Sequence, residues 1–368
     1  MTEPSKLRRR LKGALVVLAS LCIGVVLIEL VLRLTAFRDL LNETRYPDGY
    51  FVADAQLGAD HAPNVPRAPF TFRGPGFDVY TNSLGCFDDD APPQDGYVLA
   101  VGDSMTWGFV PQEDGWTTRL EPLIGRQVLN CGVSGTGTRH ALATARRILA
   151  ATGKRPGAIL LMYSDNDLND DVLFPAHRVI DGQRVNRLKE MDLLTGDIVN
   201  YPDDELATVA RSAFGARGVI RRHSILAHLV QRSWEAVRGT PEPPATLRFG
   251  YQVLFWDLDP AGRPWLPKAL EAHLQTLRDL RRVADEAGTE LVFLDTVDRA
   301  HLRGPLRDAF AAAVCRDVRH VHALYGEVEE GADEPLHHPF DPHWNAAGNR
   351  RVAESVAAFL ERSGALKP

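Results

Sequence analysis

The chain has 368 residues, 45% of them hydrophobic and 24% charged, enough for one large α/β domain or two small ones and too apolar for wholesale disorder. The formal charge is −6, although Lys6, Arg8, Arg9, Arg10 and Lys12 face only Glu3 among the first twelve residues. The remainder is therefore more acidic than the whole, which argues against nucleic acid as a partner.

Residues 1–12 read as a basic tail. Residues 13–36 open with the run Gly13-Ala14-Leu15-Val16-Val17-Leu18-Ala19-Ser20-Leu21-Cys22-Ile23-Gly24-Val25-Val26-Leu27-Ile28, long enough with its continuation to span a bilayer as a helix. Glu29 and Arg33 stand four apart at its end, where they can pair or reach the interface. The apolar run passes into Leu34-Thr35-Ala36-Phe37 with no small-residue cleavage pattern, so an uncleaved signal anchor is expected. The preceding basic cluster places the N-terminus in the cytoplasm of a bacterial-type inner (plasma) membrane, with the body on the periplasmic or extracellular side. Residues 37–70, polar and rich in Pro, Gly and Asp, read as a linker, and residues 71–368 as the globular domain.

Within that domain, Phe70–Tyr80 suggests a short edge strand and Asn82-Ser83-Leu84-Gly85 a turn. Asp88-Asp89-Asp90-Ala91-Pro92-Pro93 suggests a solvated loop. The run Tyr97-Val98-Leu99-Ala100-Val101 is apolar without alternation, the mark of a strand covered on both faces, and it ends abruptly in Gly102-Asp103-Ser104. A helix is expected over 116–124, with Trp116, Leu120, Leu123 and Ile124 on one side. Next come a strand over 127–130, a helix over 139–151 and a strand over 158–163. Residues 168–250 lack strong strand runs and read as an insertion that caps a pocket or packs as a separate decoration, with a helix over 219–237 whose face carries Ile225, Leu226, Leu229 and Val230. Pro241–Pro244 reads as a break. A long amphipathic helix follows over 267–287, then strands over 290–295 and 318–324, a polar loop over 331–340 and a last helix capped by Asn345 that includes Val352, Val356, Phe359 and Leu360. Alternating strands and helices imply three α/β/α layers around a parallel sheet.

The order Gly102-Asp103-Ser104, Asn130-Cys131-Gly132-Val133-Ser134-Gly135, Ser164-Asp165-Asn166-Asp167 and Asp341-Pro342-His343 resembles the motif blocks of the SGNH (GDSL-type) hydrolases, from about residue 81 to 361. That resemblance implies a flavodoxin-like sheet and an ester-hydrolysing activity needing no cofactor or metal. It makes Ser104 the nucleophile, His343 its base and Asp341 the carboxylate that orients the base. It also makes the N–H groups of Ser104 and Gly135 and the amide of Asn166 the oxyanion donors. Two departures stand out. The acid lies two residues before the histidine, where much of the family has three; that position is Phe340 here, some polysaccharide-acetylating members share the shorter spacing, and Asp333 is the alternative acid. Ser164 replaces a glycine of the third block, and Asp167 is expected to hold that loop rather than to react.

Trp107 is expected as a pocket wall, with Asp103 and Trp344 as further substrate contacts, while Trp116 reads as core. His140, His301, His320, His322, His337 and His338 lack ligand spacing, so no metal site is expected. Cys86 and Cys131 should lie near one rim of the sheet, either bridged or packed as free thiols. The expected activity is serine esterase chemistry on an O-acylated small molecule or glycan, with a short acyl group such as acetyl on an envelope polysaccharide. An O-acyltransferase with the same triad and a non-catalytic binding or scaffold protein are the alternatives.

Overall fold

The computed structural model describes residues 6–212, 224–238, 245–248, 253–298 and 304–366. The chain divides into two compact units: residues 1–44, 71–75 and 211–242 form one, and residues 45–70, 76–210 and 243–368 the other. His301 and Pro241–Pro244 lie outside the described residues, as does the first part of the helix expected over 219–237.

The smaller unit is built on α1 (Lys6–Arg33), whose stretch Lys12–Arg33 is long and apolar enough to cross a membrane and is not buried against protein. Glu29 and Arg33 pair as their spacing predicts, at 3.1 Å. The same Glu29 carboxylate accepts hydrogen bonds from Ser224 Oγ (3.1 Å) and from the N–H groups of Ile225 (3.0 Å) and Leu226 (3.1 Å). Ile225 opens a 14-residue helix in the same unit, Ile225–Arg238. Ile225 is buried, but Val230 is 62% exposed: it lies about 140° around the helix from Ile225, at the edge of the expected face.

The larger unit is organised by five parallel strands. In chain order they are β5 (Val98–Gly102), β6 (Val128–Asn130), β7 (Ala158–Tyr163), β13 (Glu290–Asp295) and β14 (His320–His322). Before β5 come the short strands β1 (Phe51–Asp54), β2 (Gly58–His61), β3 (Ala68–Phe72) and β4 (Gly74–Val79). The spatial order β6-β5-β7-β13-β14 is the flavodoxin-like 2-1-3-4-5 arrangement, with parallel registers such as Leu99↔Ile159 and Val292↔Leu160. Successive β5 residues point to opposite faces, and each face has its own core. Leu99 and Val101 join Leu129, Ile159, Leu161 and Phe293 beneath α4 (Thr138–Thr152) and the long helix Trp265–Glu286. Val98 and Ala100 join Val128, Leu160, Met162 and Val292 beneath α3 (Trp116–Ile124) and the last helix, Ala346–Ser363. Three layers therefore enclose a strand set buried on both sides, which is why β5 and β7 read as unbroken apolar runs. Leu123, expected on the buried side of α3, is 52% exposed at its last turn.

Three expectations change. Residues 45–70 are not a spacer: Tyr46, Tyr50, Phe51 and Phe70 are buried, and β1 pairs with β2 through Phe51↔His61. The insertion holds strands after all. β8 (His177–Ile180) and β9 (Gln183–Asn186) form a hairpin, and β10 (Leu188–Asp192) pairs with β11 (Ile198–Asn200) and β12 (Thr246–Arg248). The stretch starting at Asp88 is only partly solvated, because Asp88 accepts the Asn130 N–H at 2.9 Å. The two cysteine readings resolve in favour of a bridge: Cys86 and Cys131 are disulfide-bonded.

Candidate active site

Ser104 stands at the carboxyl end of β5, beside the point where strand order reverses and where such sheets collect their ligands. The turn that presents it needs Gly102. With φ +142°, a Cβ there would meet the Met162 carbonyl oxygen at 2.5 Å, so only glycine fits. Asp103 then caps the short helix α2 (Ser104–Trp107) by accepting the Met105 N–H at 2.9 Å. It also accepts the Ser164 hydroxyl at 3.0 Å. The serine that replaces a glycine in the third block thus ties that loop to the Ser104 turn. Asp167, as expected, holds the same loop by accepting the Ser164 N–H at 3.4 Å.

His343 arrives from the other end of the chain on a hairpin of β15 (His337–His338) and β16 (Asp341–Trp344). β16 packs against α2. The side chain of Asn349 reinforces the junction: Nδ2 donates to the Gly108 carbonyl at 3.2 Å, and Oδ1 accepts the Trp116 N–H at 3.1 Å. His338 Nε2 is hydrogen-bonded to the Phe109 carbonyl at 3.1 Å. The His343 ring stacks on Phe109 with centroids 3.8 Å apart and planes 5° apart. Phe109 holds this pose with φ +50°, a backbone region that bulky side chains avoid.

Asp341 Oδ1 is hydrogen-bonded to both His343 Nδ1 and the His343 N–H, the latter at 3.1 Å. Burial alone would raise the Asp341 carboxyl, but hydrogen bonding and charge from His343 outweigh it and hold the group below its usual range. Asp333 is exposed and makes no such contact. The two-residue spacing therefore suffices to bring carboxylate and imidazole together. Ser104 is not hydrogen-bonded to His343 here. Its hydroxyl donates to Asp103 Oδ2 at 3.3 Å. Burial raises the Asp103 carboxyl, while the hydrogen bonds from Met105 and Ser164 and the His343 charge act to lower it.

Of the three expected oxyanion donors, the N–H groups of Ser104 and Gly135 have no hydrogen-bond partner among the described residues. The Asn166 amide donates one N–H to Asp170 Oδ2 at 2.6 Å and has a second to offer. Burial pushes the Asp170 carboxyl up to about 7. The three residues expected to touch substrate are enclosed instead: Trp107, Asp103 and Trp344 are 1%, 0% and 2% exposed. Trp107 donates its indole N–H to Tyr50 Oη (3.1 Å) inside a group of rings, and Trp344 donates to Glu329 Oε1 (3.2 Å). An aromatic side chain next to a nucleophile is as useful for fixing a turn as for meeting a ligand. A cleft of about 490 Å³ lined by Gln94, Tyr97, Arg126 and Pro156 sits at the opposite, amino end of the strands, away from these groups.

Sequence reasoning missed Phe109, Tyr46, Tyr50, Phe51 and Arg184. Arg184, on β9, donates through Nη1 to the Ser134 carbonyl and lies 4.4 Å above the Phe51 ring centroid. A signal for its hairpin existed: Asp181-Gly182 separates two runs containing β-branched residues, the strongest short hairpin signature. Both residues adopt positive φ, +50° and +76°, and Ile180 pairs with Gln183 around them.

No protein-family model matches the chain, and no curated protein matches it. Solved structures do. TesA is 14% identical with a TM-score of 0.38, covering 73% of this chain and 99% of that one. The psychrotrophic esterase EstA from Pseudoalteromonas sp. is 12% identical with a TM-score of 0.38, covering 73% and 98%. Axe2, an acetylxylan esterase from Geobacillus stearothermophilus, is 14% identical with a TM-score of 0.36, covering 74% and 95%.

Proposed function

We propose that the chain is a membrane-anchored serine esterase that cleaves short O-acyl esters, such as acetyl groups on an envelope polysaccharide, through an acyl-Ser104 intermediate. One observation carries the reading: the Asp341 carboxylate sits on His343 Nδ1, within a hairpin packed against the helix that begins at Ser104. An imidazole whose Nδ1–H is held by a carboxylate presents Nε2 as a base.

In this mechanism the Ser104 hydroxyl rotates from Asp103 to His343 Nε2. Oγ attacks the ester carbonyl as its proton passes to Nε2. The negative charge developing on the carbonyl oxygen meets the N–H groups of Ser104 and Gly135 and the second N–H of Asn166, each such donor being worth roughly 3 kcal/mol. Collapse breaks the bond to the alkoxy oxygen, which leaves with the proton from Nε2. Water then attacks the acyl-serine by the same route, returning the proton to Ser104 and releasing the acid. The apolar part of helix α1 serves as the anchor, with the basic residues of its first turns on the cytoplasmic side and the larger unit outside.

Ser104→Ala should lower p-nitrophenyl acetate hydrolysis by about four orders of magnitude or more with little change in thermal stability. A fluorophosphonate should label wild-type Ser104 and no other residue. Absence of label on Ser104 in folded protein, or substantial turnover by Ser104→Ala, overturns the reading. Supplying oligosaccharide acceptors in the same assay distinguishes hydrolysis from transfer by whether acylated sugar accumulates.

A further inference from the structure

We infer that Arg184, carried by the β8–β9 hairpin of the insertion, is a positioning residue that sets the oxyanion-hole peptide between Ser134 and Gly135. The inference rests on the esterase reading of the same site.

A trans peptide is planar, and its C=O and N–H point in opposite directions. Arg184 Nη1 donates to the Ser134 carbonyl. The guanidinium therefore lies on the carbonyl side of this peptide, and the Gly135 N–H faces away from it. That N–H has no hydrogen-bond partner among the described residues. The peptide needs holding. Gly135 sits at φ +67°, where glycine moves freely between backbone states, so the peptide before it could turn over. If it did, a carbonyl would point where the oxyanion forms. A charged donor on the Ser134 oxygen opposes that turn, and by polarising the peptide it strengthens the N–H at the far side.

The environment of Arg184 fits this single task. Its Nη1 donates to the Ser134 carbonyl, and the buried Asp170 carboxylate, which holds the Asn166 amide, is close enough for its charge to act on the guanidinium. Its Cζ lies 4.4 Å over the Phe51 ring centroid and 5.8 Å from that of Tyr46, cation–π contacts that help to hold the guanidinium in place. Nη2 lies 3.2 Å from where a Cβ on Gly135 would stand, so the guanidinium also occupies the space that a side chain there would take. The hairpin is itself pinned: Gln183 Nε2 donates to Asp48 Oδ1 at 2.6 Å and to the Tyr46 carbonyl at 3.3 Å, and the Gly49 N–H donates to the Gly182 carbonyl at 3.3 Å. The insertion and the segment before β5 thus converge on one peptide of the site.

The test uses the full chain with Arg184→Met, Arg184→Gln and Arg184→Lys. We measure kcat and KM on p-nitrophenyl acetate, the rate of fluorophosphonate labelling at Ser104, and thermal stability. Arg184→Met should lower kcat and the labelling rate together by about 10- to 100-fold, less than loss of a whole donor, with KM changed by less than about threefold. Arg184→Lys, which keeps a charged donor, should recover part of the loss, and Arg184→Gln, a neutral donor, should fall between Met and Lys. Unchanged kcat in a folded Arg184→Met variant overturns the inference. So does a loss confined to KM, which would make Arg184 a substrate contact. Should Arg184→Met not fold, the comparison of Gln with Lys decides: equal kcat and labelling rates overturn the inference. Wild-type labelling separates the two levels. If Ser104 of the wild type is labelled while the variants react at its rate, only this inference fails; if the wild type is not labelled, the esterase reading fails and this inference with it.

Discussion

Two regions of the larger unit meet at the candidate site, and they are specified in different ways. The parallel sheet is specified locally: β5 and β7 are apolar throughout, with five and six consecutive buried residues. The turn after β5 carries the glycine and the capping residue that its geometry requires. The other region is the segment from Tyr46 to His61 together with the β8–β9 hairpin. Its rings are spread through polar, turn-rich sequence and acquire a purpose only by meeting one another. Tyr46 stacks on Tyr50 at 5.2 Å, packs against Phe70 at 4.7 Å and reaches Trp107 at 5.6 Å. The end of β5 presents Ser104 and the separate β15–β16 hairpin presents Asp341 and His343, whereas this second region packs around the turn that follows β5. A chemical motif is therefore easier to find than the structure that makes it effective.

The largest effect should come from breaking the chemistry while leaving both regions folded. Asp341→Asn should lower kcat by about 10³- to 10⁴-fold, the scale seen when a triad carboxylate becomes an amide and the imidazole tautomer is lost. Thermal stability should change little, since the Asn oxygen can still accept the His343 N–H. Asp333→Asn is the companion variant and should keep full activity. Steady-state kinetics on p-nitrophenyl acetate decides; a larger loss in Asp333→Asn would return the acid's role to the exposed loop.

The next effect probes the second region. Phe51 is 3% exposed and touches Tyr46, Tyr50, His61 and the Arg184 guanidinium. Phe51→Ala should destabilise the protein by roughly 3–5 kcal/mol, the usual cost of removing a buried ring, and should lower kcat as Arg184 loses its platform. Denaturant unfolding and kinetics on the same sample check both parts. Loss of stability without loss of kcat would mean that the aromatic segment supports the fold alone.

These expectations bear on how much was legible in the sequence. Strand β7 and strand β13 fall where their apolar runs place them, over 158–163 and 290–295, because burial on both faces leaves an uninterrupted signal. Asn345 caps the last helix as its side chain suggests, accepting the N–H groups of Ala347 and Gly348. Asp341 and His343 meet because they are near neighbours on one strand. Tyr46, Tyr50 and Phe51 escaped because an aromatic residue in a Pro- and Gly-rich stretch has no period to betray its burial. Trp107 is not the pocket wall expected of it, because adjacency in sequence to Ser104 says nothing about which way a ring points; it turns into the Tyr50 and Phe87 side of the turn. Arg184 lies 80 residues from Ser104 in sequence, and only the Asp181-Gly182 turn marked its hairpin.

The smallest effect concerns the seam between the segment that precedes β5 and the end of β6. Asp88 was expected in a solvated loop, yet it accepts the Asn130 N–H at the end of β6 (2.9 Å), the Asp89 N–H (2.8 Å) and the Gln112 side-chain amide (3.3 Å). Burial pushes its carboxyl up to about 7 despite those donors, with the Glu121 and Asp89 charges adding to the rise. The sign is set by proton uptake. Between about pH 4, where the unfolded chain releases this proton, and about pH 7, where the folded chain does, the native state is the one that holds it. The stability contributed by the group is fully present below the lower limit, declines as pH rises across the window and is lost above it. Asp88→Asn has no proton to lose and still offers an oxygen to the Asn130 N–H. Its unfolding free energy should therefore decline less than that of the wild type between pH 5 and pH 8, by about 1–2 kcal/mol once partial solvent access is discounted. Parallel pH–stability curves for the two proteins would show that Asp88 titrates as an ordinary surface carboxylate and that the seam owes nothing to its proton.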